Sequence, residues 1–317
     1  MPHVLHRATL ALHTPLGTPL AGDTLFGQLC WALREAAGEA ELRRRLQGYT
    51  EGSPWLVVSD GFPAGYLPRP TLPQHFSPTV DDPAQRKAAK RQRWLAAARS
   101  GERLAVQLAN AVDDTTAYGQ APQRSMQAHN TLNRLTGSTG EGAFAPYSVP
   151  QTCHSAGQRI DLYLVLDSER LTAAEAASLL LAIGSSGFGR DASVGLGKFT
   201  LEGIAPTAFA APAGANAYWT LAPCAPQGQG FVGTSSYWRV LTRFGRHGNT
   251  LAVAGKPFKT PVLLAATGAV FTPSEAFTLR PFVGQGLGGN GRLSLAEAAT
   301  VQQGYAPVAS IALEAAP

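Results

Sequence analysis

The stretch Gly184 to Phe199, GSSGFGRDASVGLGKF, is where residue type and spacing speak most directly of chemistry. Four glycines, Gly187, Gly189, Gly195 and Gly197, alternate with Arg190 and Lys198. Glycine lets main chain approach a ligand closely and adopt positive φ. A run of exposed N–H groups flanked by cations makes a seat for phosphates. The same pattern also serves as a tight turn with no ligand at all. Periodicity reads as helix before the loop and strand after it, the reverse of the order a dinucleotide fingerprint requires. A Walker A loop ends in Gly-Lys-Ser/Thr, whereas Lys198 here is followed by Phe199. Both nucleotide-cofactor readings therefore fall away.

A second candidate segment is His129 to Gly140, HNTLNRLTGSTG, with Arg124 just before it. His129, Asn130 and Arg134 offer imidazole, amide and guanidinium groups, which contact the bases and phosphates of single-stranded RNA. A hairpin tied down by its own side-chain hydrogen bonds is the plainer alternative. Signals for catalysis are sparse. There is no Gly-x-Ser-x-Gly elbow and no His-Glu-x-x-His, and the adjacent pair Asp113 and Asp114 in a loop is weak evidence for a metal. His13, beside the first strand, is the histidine that could act as general base in a metal-free ribonuclease. The three cysteines, Cys30, Cys153 and Cys224, are isolated and odd in number, so neither a disulfide framework nor a zinc site is expected. No cofactor is expected either.

These groups must be positioned by a folded chain. Hydrophobic residues make up 44% and charged residues 15% of the 317 positions, enough for a sizeable core and for two domains or one large one. No run of about 18 apolar residues marks a membrane span. The start, MPHVLHRATLALHTPL, has no leader pattern, so the cytoplasm is the expected compartment. Val4 to Leu12 alternates as a strand, with His6, Ala8, Leu10 and Leu12 on one face. Asp23 or Thr24 is placed to cap a helix whose stripe is Phe26, Leu29, Cys30 and Leu33. A short helix over Glu39 to Leu46 and a strand over Trp55 to Ser59 follow. Asp81 to Ala111 reads as one long helix, with Asp82 as cap and Pro83 at its first position. Arg86, Lys87, Lys90, Arg91, Arg93, Arg99 and Arg103 make it the densest positive region in a chain of net charge +5. That face is either simply solvated or meets nucleic acid or an acidic protein.

Residues 112–152 form a long loop or an extended hairpin. Ile160 to Leu166 reads as strand, Leu171 to Ile183 as a helix starting at Thr172, and Gly197 to Ile204 as strand. The order strand, helix, strand, insertion, strand, helix, strand is that of a ferredoxin-like, RRM-like domain. Pro206 to Asn216 resembles a linker. Beyond it come several strands and a second glycine-rich loop bounded by Arg280 and Arg292. The expected fold class is α+β: a first domain over 1–205 with an insertion at about 81–152, a linker at 206–216 and a second ferredoxin-like domain over 217–317.

Four segments occur together in order: GDTLFGQLCWALRE (Gly22 to Glu35), FPAGYLPRP (Phe62 to Pro70), HNTLNRLTGSTG and GFGRDASVGLGKF. With them the chain resembles the fourth-subunit family of the Csm complex, a Cas5-like branch of the RAMP superfamily in type III-A CRISPR effectors. The likeness covers most of the first 205 residues and is vaguer beyond, where Arg280 to Arg292 resembles the glycine-rich end of that subunit. It implies two ferredoxin-like domains with a thumb-like hairpin over 112–152. It also implies a non-catalytic role: gripping the repeat-derived 5′ tag of crRNA and bridging RAMP backbone subunits to the large polymerase/nuclease subunit. The matching positions are His129, Asn130 and Arg134 on the thumb, and Gly187, Gly189, Arg190, Gly195, Gly197 and Lys198 on the loop. The competing expectation is a repeat-processing endoribonuclease of the same superfamily, with His13 or His129 as base. The basic region at 83–103 has no close counterpart in the family pattern.

Overall fold

The computed structural model describes residues 3–77, 82–248 and 257–314. Strand β1 (His3–Leu12) buries His6, Ala8, Leu10 and Leu12 on one face and leaves Arg7 outside, as the alternation requires. Helix α1 (Gly22–Ala37) sets Phe26, Leu29 and Leu33 into the core. In α2 (Glu39–Arg45) the three arginines pair locally, Arg43 with Glu39, Arg44 and Arg45 with Glu41. Then come β2 (Leu56–Val58), β3 (Phe62–Pro63), β4 (Tyr66–Pro68), α3 (Pro83–Ala89), β5 (Trp94–Ala96), α4 (Leu104–Ala109) and α5 (Asp114–Tyr118). A hairpin of β6 (Gln123–His129) and β7 (Tyr147–Cys153) leads to β8 (Gln158–Asp167). Helix α6 (Ala173–Ser186) opens on a capping box of Thr172 and Glu175, and β9 (Phe199–Pro206) closes this half.

The first sheet runs β2–β8–β1–β9 with antiparallel neighbours, and β3 also pairs with β8. Helices α1 and α6 cover one face through Phe26, Leu29, Leu179, Leu180 and Ile183. The second half contributes β10 (Ala217–Thr220), β11 (Val240–Arg243), β12 (Val262–Ala265), β13 (Val270–Phe271), β14 (Phe282–Gly284), β15 (Leu287–Gly288), β16 (Val301–Gln302) and β17 (Tyr305–Ile311). Its main sheet is ordered β13–β10–β17–β14, beside the ribbons β11–β12 and β15–β16. The overall class is α+β.

Two expectations are corrected. The long helix over 81–111 is broken: α3 ends at Ala89, β5 pairs with β4, and α4 begins only at Leu104. Local propensity there is helical, yet Leu95 is 1% exposed among Phe62, Leu67, Leu104 and Leu108, and the N–H groups of Arg93 and Trp94 both donate to Val112 O. Tertiary burial overrides propensity. Asp82 keeps the start position, its carbonyl accepting the N–H of Arg86, while Asp81 lies outside the described residues. Second, neither Asp23 nor Thr24 caps α1. The cap residue is Ala21, and the oxygen comes from Asp60, which accepts the Gly22 N–H at 2.7 Å. In the second half, the described residues of 217–314 hold strands and one short 3₁₀ turn. The 206–216 segment is no free linker: Phe209 packs on Tyr163 with ring centres 4.9 Å apart.

The two halves form one packed body. Tyr163 and Phe62 share a cluster with Trp219, Leu221, Val270 and Ile311. The Gln303 side chain pairs with the main chain of Val58 in both directions at 2.8 Å, satisfying the outer edge of β2. Buried Asp23 meets Arg243, with Nη2 donating to Oδ1 at 3.0 Å and Nε 2.6 Å from Oδ2. Asp60 accepts from Gly22 and, at 2.5 Å, from the Thr267 hydroxyl. Burial pushes the Asp60 carboxyl up to about 6 against the lowering pull of those two donors.

Two outcomes follow from this junction. Arg243→Ala leaves a carboxylate buried without its cation, and urea unfolding should register a loss of about 3 kcal/mol. Asp60 binds its proton more tightly in the folded chain, so its contribution to stability is complete below the unfolded pKa of 3.8 and is lost as pH rises through about 6. Urea midpoints of wild type and Asp60→Asn, compared from about pH 4 to about pH 7, should therefore diverge in favour of the variant with rising pH. A difference that stays flat across that range contradicts the assignment.

Candidate nucleic-acid interface

The end of β1 is where the sequence-selected segments meet. Residues 13–18 run between the glycine-rich loop on one side and the base of the β6–β7 hairpin on the other. The His13 N–H donates to Lys198 O at 2.9 Å, and the Gly197 N–H donates to Pro15 O at 2.8 Å. Thr14 and Thr18 hydroxyl oxygens accept the N–H groups of Lys198 (2.9 Å) and Arg190 (3.0 Å). On the other side, Leu16 and Thr152 exchange both main-chain bonds at 2.9 Å. The Arg190 guanidinium crosses the gap and donates to Pro150 O on β7, while its Nε lies 3.4 Å from Asp191 Oδ2. Loop, β1 extension and hairpin base are thus one unit.

The loop itself differs from the expected cradle. The N–H groups of Gly187, Phe188, Arg190, Val194, Gly195, Leu196, Gly197 and Lys198 are all bonded within the chain, so they do not form an unspent row for phosphates. The glycines serve close approach instead. A Cβ on Gly197, where φ is +71°, would lie 2.2 Å from Phe188 O, and one on Gly189 would lie 2.6 Å from Thr18 Cβ. Phe188, fully buried, is the anchor these approaches enclose. Any anion contact falls to the side chains, of which Arg190 and Lys198 are exposed.

The hairpin pairs seven residues on each strand, Gln123↔Cys153 through His129↔Tyr147, resolving the loop-or-hairpin alternatives for 112–152. It stands away from the core with Arg124, Asn130 and Arg134 exposed. Arg124 faces Thr152, the residue that Leu16 grips, in register. The His129 ring stacks on Tyr147, with centres 5.3 Å apart and planes 10° apart, and Tyr147 itself is half exposed. Leu135 at the tip is 96% exposed. The surface thus alternates cations, amides and ring faces, the groups that hold single-stranded nucleic acid. His13 is held by Thr200, its Nε2 lying 3.0 Å from Oγ1.

Arg280 and Arg292 are not part of this unit. Arg280 sits over the Tyr218 ring at 5.9 Å on the second sheet, and the carbonyl of Arg292 accepts from the Thr260 hydroxyl at 2.8 Å. The second glycine-rich loop docks against the chain at Tyr49 and Thr50. Sequence reasoning missed Thr14, Leu16 and Thr18, which lie between the strand over Val4 to Leu12 and the helix that follows Asp23. The threonines flanking Pro15 and Gly17 were the available signal, since hydroxyl oxygens commonly satisfy main-chain donors in turns.

The loop gives a direct test of its packing role. Gly197→Ala combines a positive φ with a main-chain clash and should lose more than about 1 kcal/mol in thermal or urea unfolding. Gly195→Ala, with nothing within 4 Å of the added methyl, should lose only the conformational part, about 1 kcal/mol. Equal losses at the two positions would contradict the close-approach account.

No family model matches the chain, and no curated protein matches it in sequence. Solved structures do share its fold. A chain in the crystal structure of a Csm1–Csm4 cassette in complex with cA4 is 16% identical, with a TM-score of 0.60, over 98% of this chain and 99% of that one. The corresponding comparison with a cassette in complex with pppApA gives a TM-score of 0.58 at 16% identity, with the same coverage. A chain of a Csm3–Csm4 subcomplex in the type III-A CRISPR-Cas interference complex matches at 11% identity and a TM-score of 0.51, over 84% of this chain and 92% of that one. Over nearly its whole length, then, the chain has a fold found among the subunits of type III-A Csm assemblies.

Proposed function

We propose that this chain is a non-catalytic, crRNA-associated subunit of a type III CRISPR effector complex, holding the repeat-derived 5′ tag of the RNA. In this reading it also bridges RAMP backbone subunits to the large polymerase/nuclease subunit. The observation that carries it is the likeness in fold to chains of Csm1–Csm4 and Csm3–Csm4 assemblies, over 98% and 84% of this chain, in a molecule whose exposed hairpin and Arg190–Lys198 loop are locked together. The β2–β8–β1–β9 order, with α1 and α6 on one face, supports a ferredoxin-like, RRM-like unit in the first half. RNA contact is assigned to side chains: Arg124, Asn130, Arg134 and the His129–Tyr147 stack on the hairpin, with Arg190 and Lys198 at its base. Gly187, Gly189, Gly195 and Gly197 shape the loop. Arg280 and Arg292 lie on the other half, where they serve a more distant stretch of RNA or a protein neighbour.

The chain should bind a tag-bearing RNA in a salt-dependent manner, measured by fluorescence anisotropy. Arg134→Ala and Arg190→Ala should each weaken binding several-fold and lower the salt slope by about 1. Unchanged affinity and slope in both variants sink the reading. Labelled repeat RNA incubated with the protein should remain intact. Cleavage that is lost in His13→Ala or His129→Ala would instead favour the endoribonuclease reading.

A further inference from the structure

A second cation-rich site lies away from the hairpin. A cleft of about 930 Å³ opens between the first half and the β11–β13 region, floored by Asp60 and walled by β4, α3, β5 and the segment leading into β11. Its walls carry five cations, Arg69, Arg86, Lys90, Arg93 and Arg239, against a single carboxylate among the described residues, Asp60. That carboxylate is already engaged by Gly22 and Thr267. Arg93 is answered by Asp114. Among the described residues Arg69 is not answered in kind: partly buried, it donates to Gln92 O at 3.2 Å and to the Ser77 hydroxyl at 2.9 Å. Burial lowers its affinity for its proton. Lys90 and Arg239 face the cleft from opposite halves, both exposed.

A partly buried guanidinium without a carboxylate partner among the described residues, with further cations around it, is a place for an anion from outside. The remaining wall decides which anion. Half-buried Trp94 and Leu72 form an apolar side, and Thr71 and Gln74 supply hydroxyl and amide groups. Cations on one side and a ring plus hydrogen-bonding groups on the other suit a nucleotide, with its phosphate on Arg69, Lys90 and Arg239 and its base along Trp94. The volume falls within the range of small-molecule pockets. We infer that this cleft binds the phosphate of a nucleotide unit. The inference assigns a role to the broken basic segment 83–93, and it rests on the RNA-binding reading only for RNA as one source of that nucleotide; a free nucleotide is the other.

The test uses the full chain, a short single-stranded RNA labelled at its 3′ end and, separately, AMP. Lys90→Ala combined with Arg239→Ala should weaken binding about tenfold, with an unchanged unfolding midpoint, while Lys90→Arg with Arg239→Lys should restore it. Loss of RNA binding alone identifies an RNA chain as the source; loss of AMP binding identifies a free nucleotide. If the alanine pair binds both probes as wild type does, the inference is overturned. Should RNA binding depend on Arg134 and Arg190 but not on Lys90 and Arg239, with no AMP bound, the cleft assignment falls and the hairpin reading stands. If wild type binds AMP through Lys90 and Arg239 but no RNA, the cleft stands and the RNA reading falls. Polyglutamate displacing the probes as readily as unlabelled RNA would point to an acidic protein and overturn the assignment.

Discussion

The main-chain lacing at the end of β1 is the constraint on which the functional surface depends. Residues 13–18 bond to the glycine-rich loop through His13, Thr14, Pro15 and Thr18, and to the hairpin through Leu16. A hairpin projecting from a body has few tertiary contacts of its own, so its direction is set at its base. Here the base is fixed by two reciprocal bonds and by a guanidinium reaching in from the loop. The glycines are needed because the two strands of the loop pass at distances that leave no room for a side chain.

The second constraint is polar and buried. The halves meet through Asp23 with Arg243, Asp60 with Gly22 and Thr267, and Gln303 with Val58. Apolar contacts around Tyr163 and Trp219 supply the area, but apolar surface is undirected, and the polar pairs fix one register of one half against the other. The cost of burying Asp60 is visible in its raised proton affinity. The cation-rich cleft exists because this junction holds Arg239 of one half across from Lys90 and Arg69 of the other.

Charge distribution, more than net charge, separates structural from available cations. Arg43, Arg44 and Arg45 form the tightest arginine run in the sequence, yet each is answered by Glu39, Glu41 or Glu175. Arg134, Lys198 and Arg239 stand singly in sequence and exposed in space, while exposed Lys90 belongs to the basic run at 86–93. Clustering along the chain therefore does not by itself separate cations that are answered locally from those that face a cleft.

Alternation and capping were legible without a structure, because strand period and helix stripe are local properties: β1, α1, β8, α6 with its Thr172 cap, and β9 all stand where the pattern put them. The hairpin was legible as one of two alternatives. The sequence could not reveal β5, since Trp94-Leu-Ala-Ala-Ala-Arg99 favours helix locally and becomes strand only through Leu95 burial and the bonds to Val112. Nor could it reveal that Asp23 serves Arg243, 220 residues away, in place of capping its own helix. Glycine-rich spacing drew attention to the 184–199 loop but left the bonding of its N–H groups open. Only tertiary structure decided that bonding, because whether an N–H group is free or meets a neighbouring carbonyl depends on which segment folds against it.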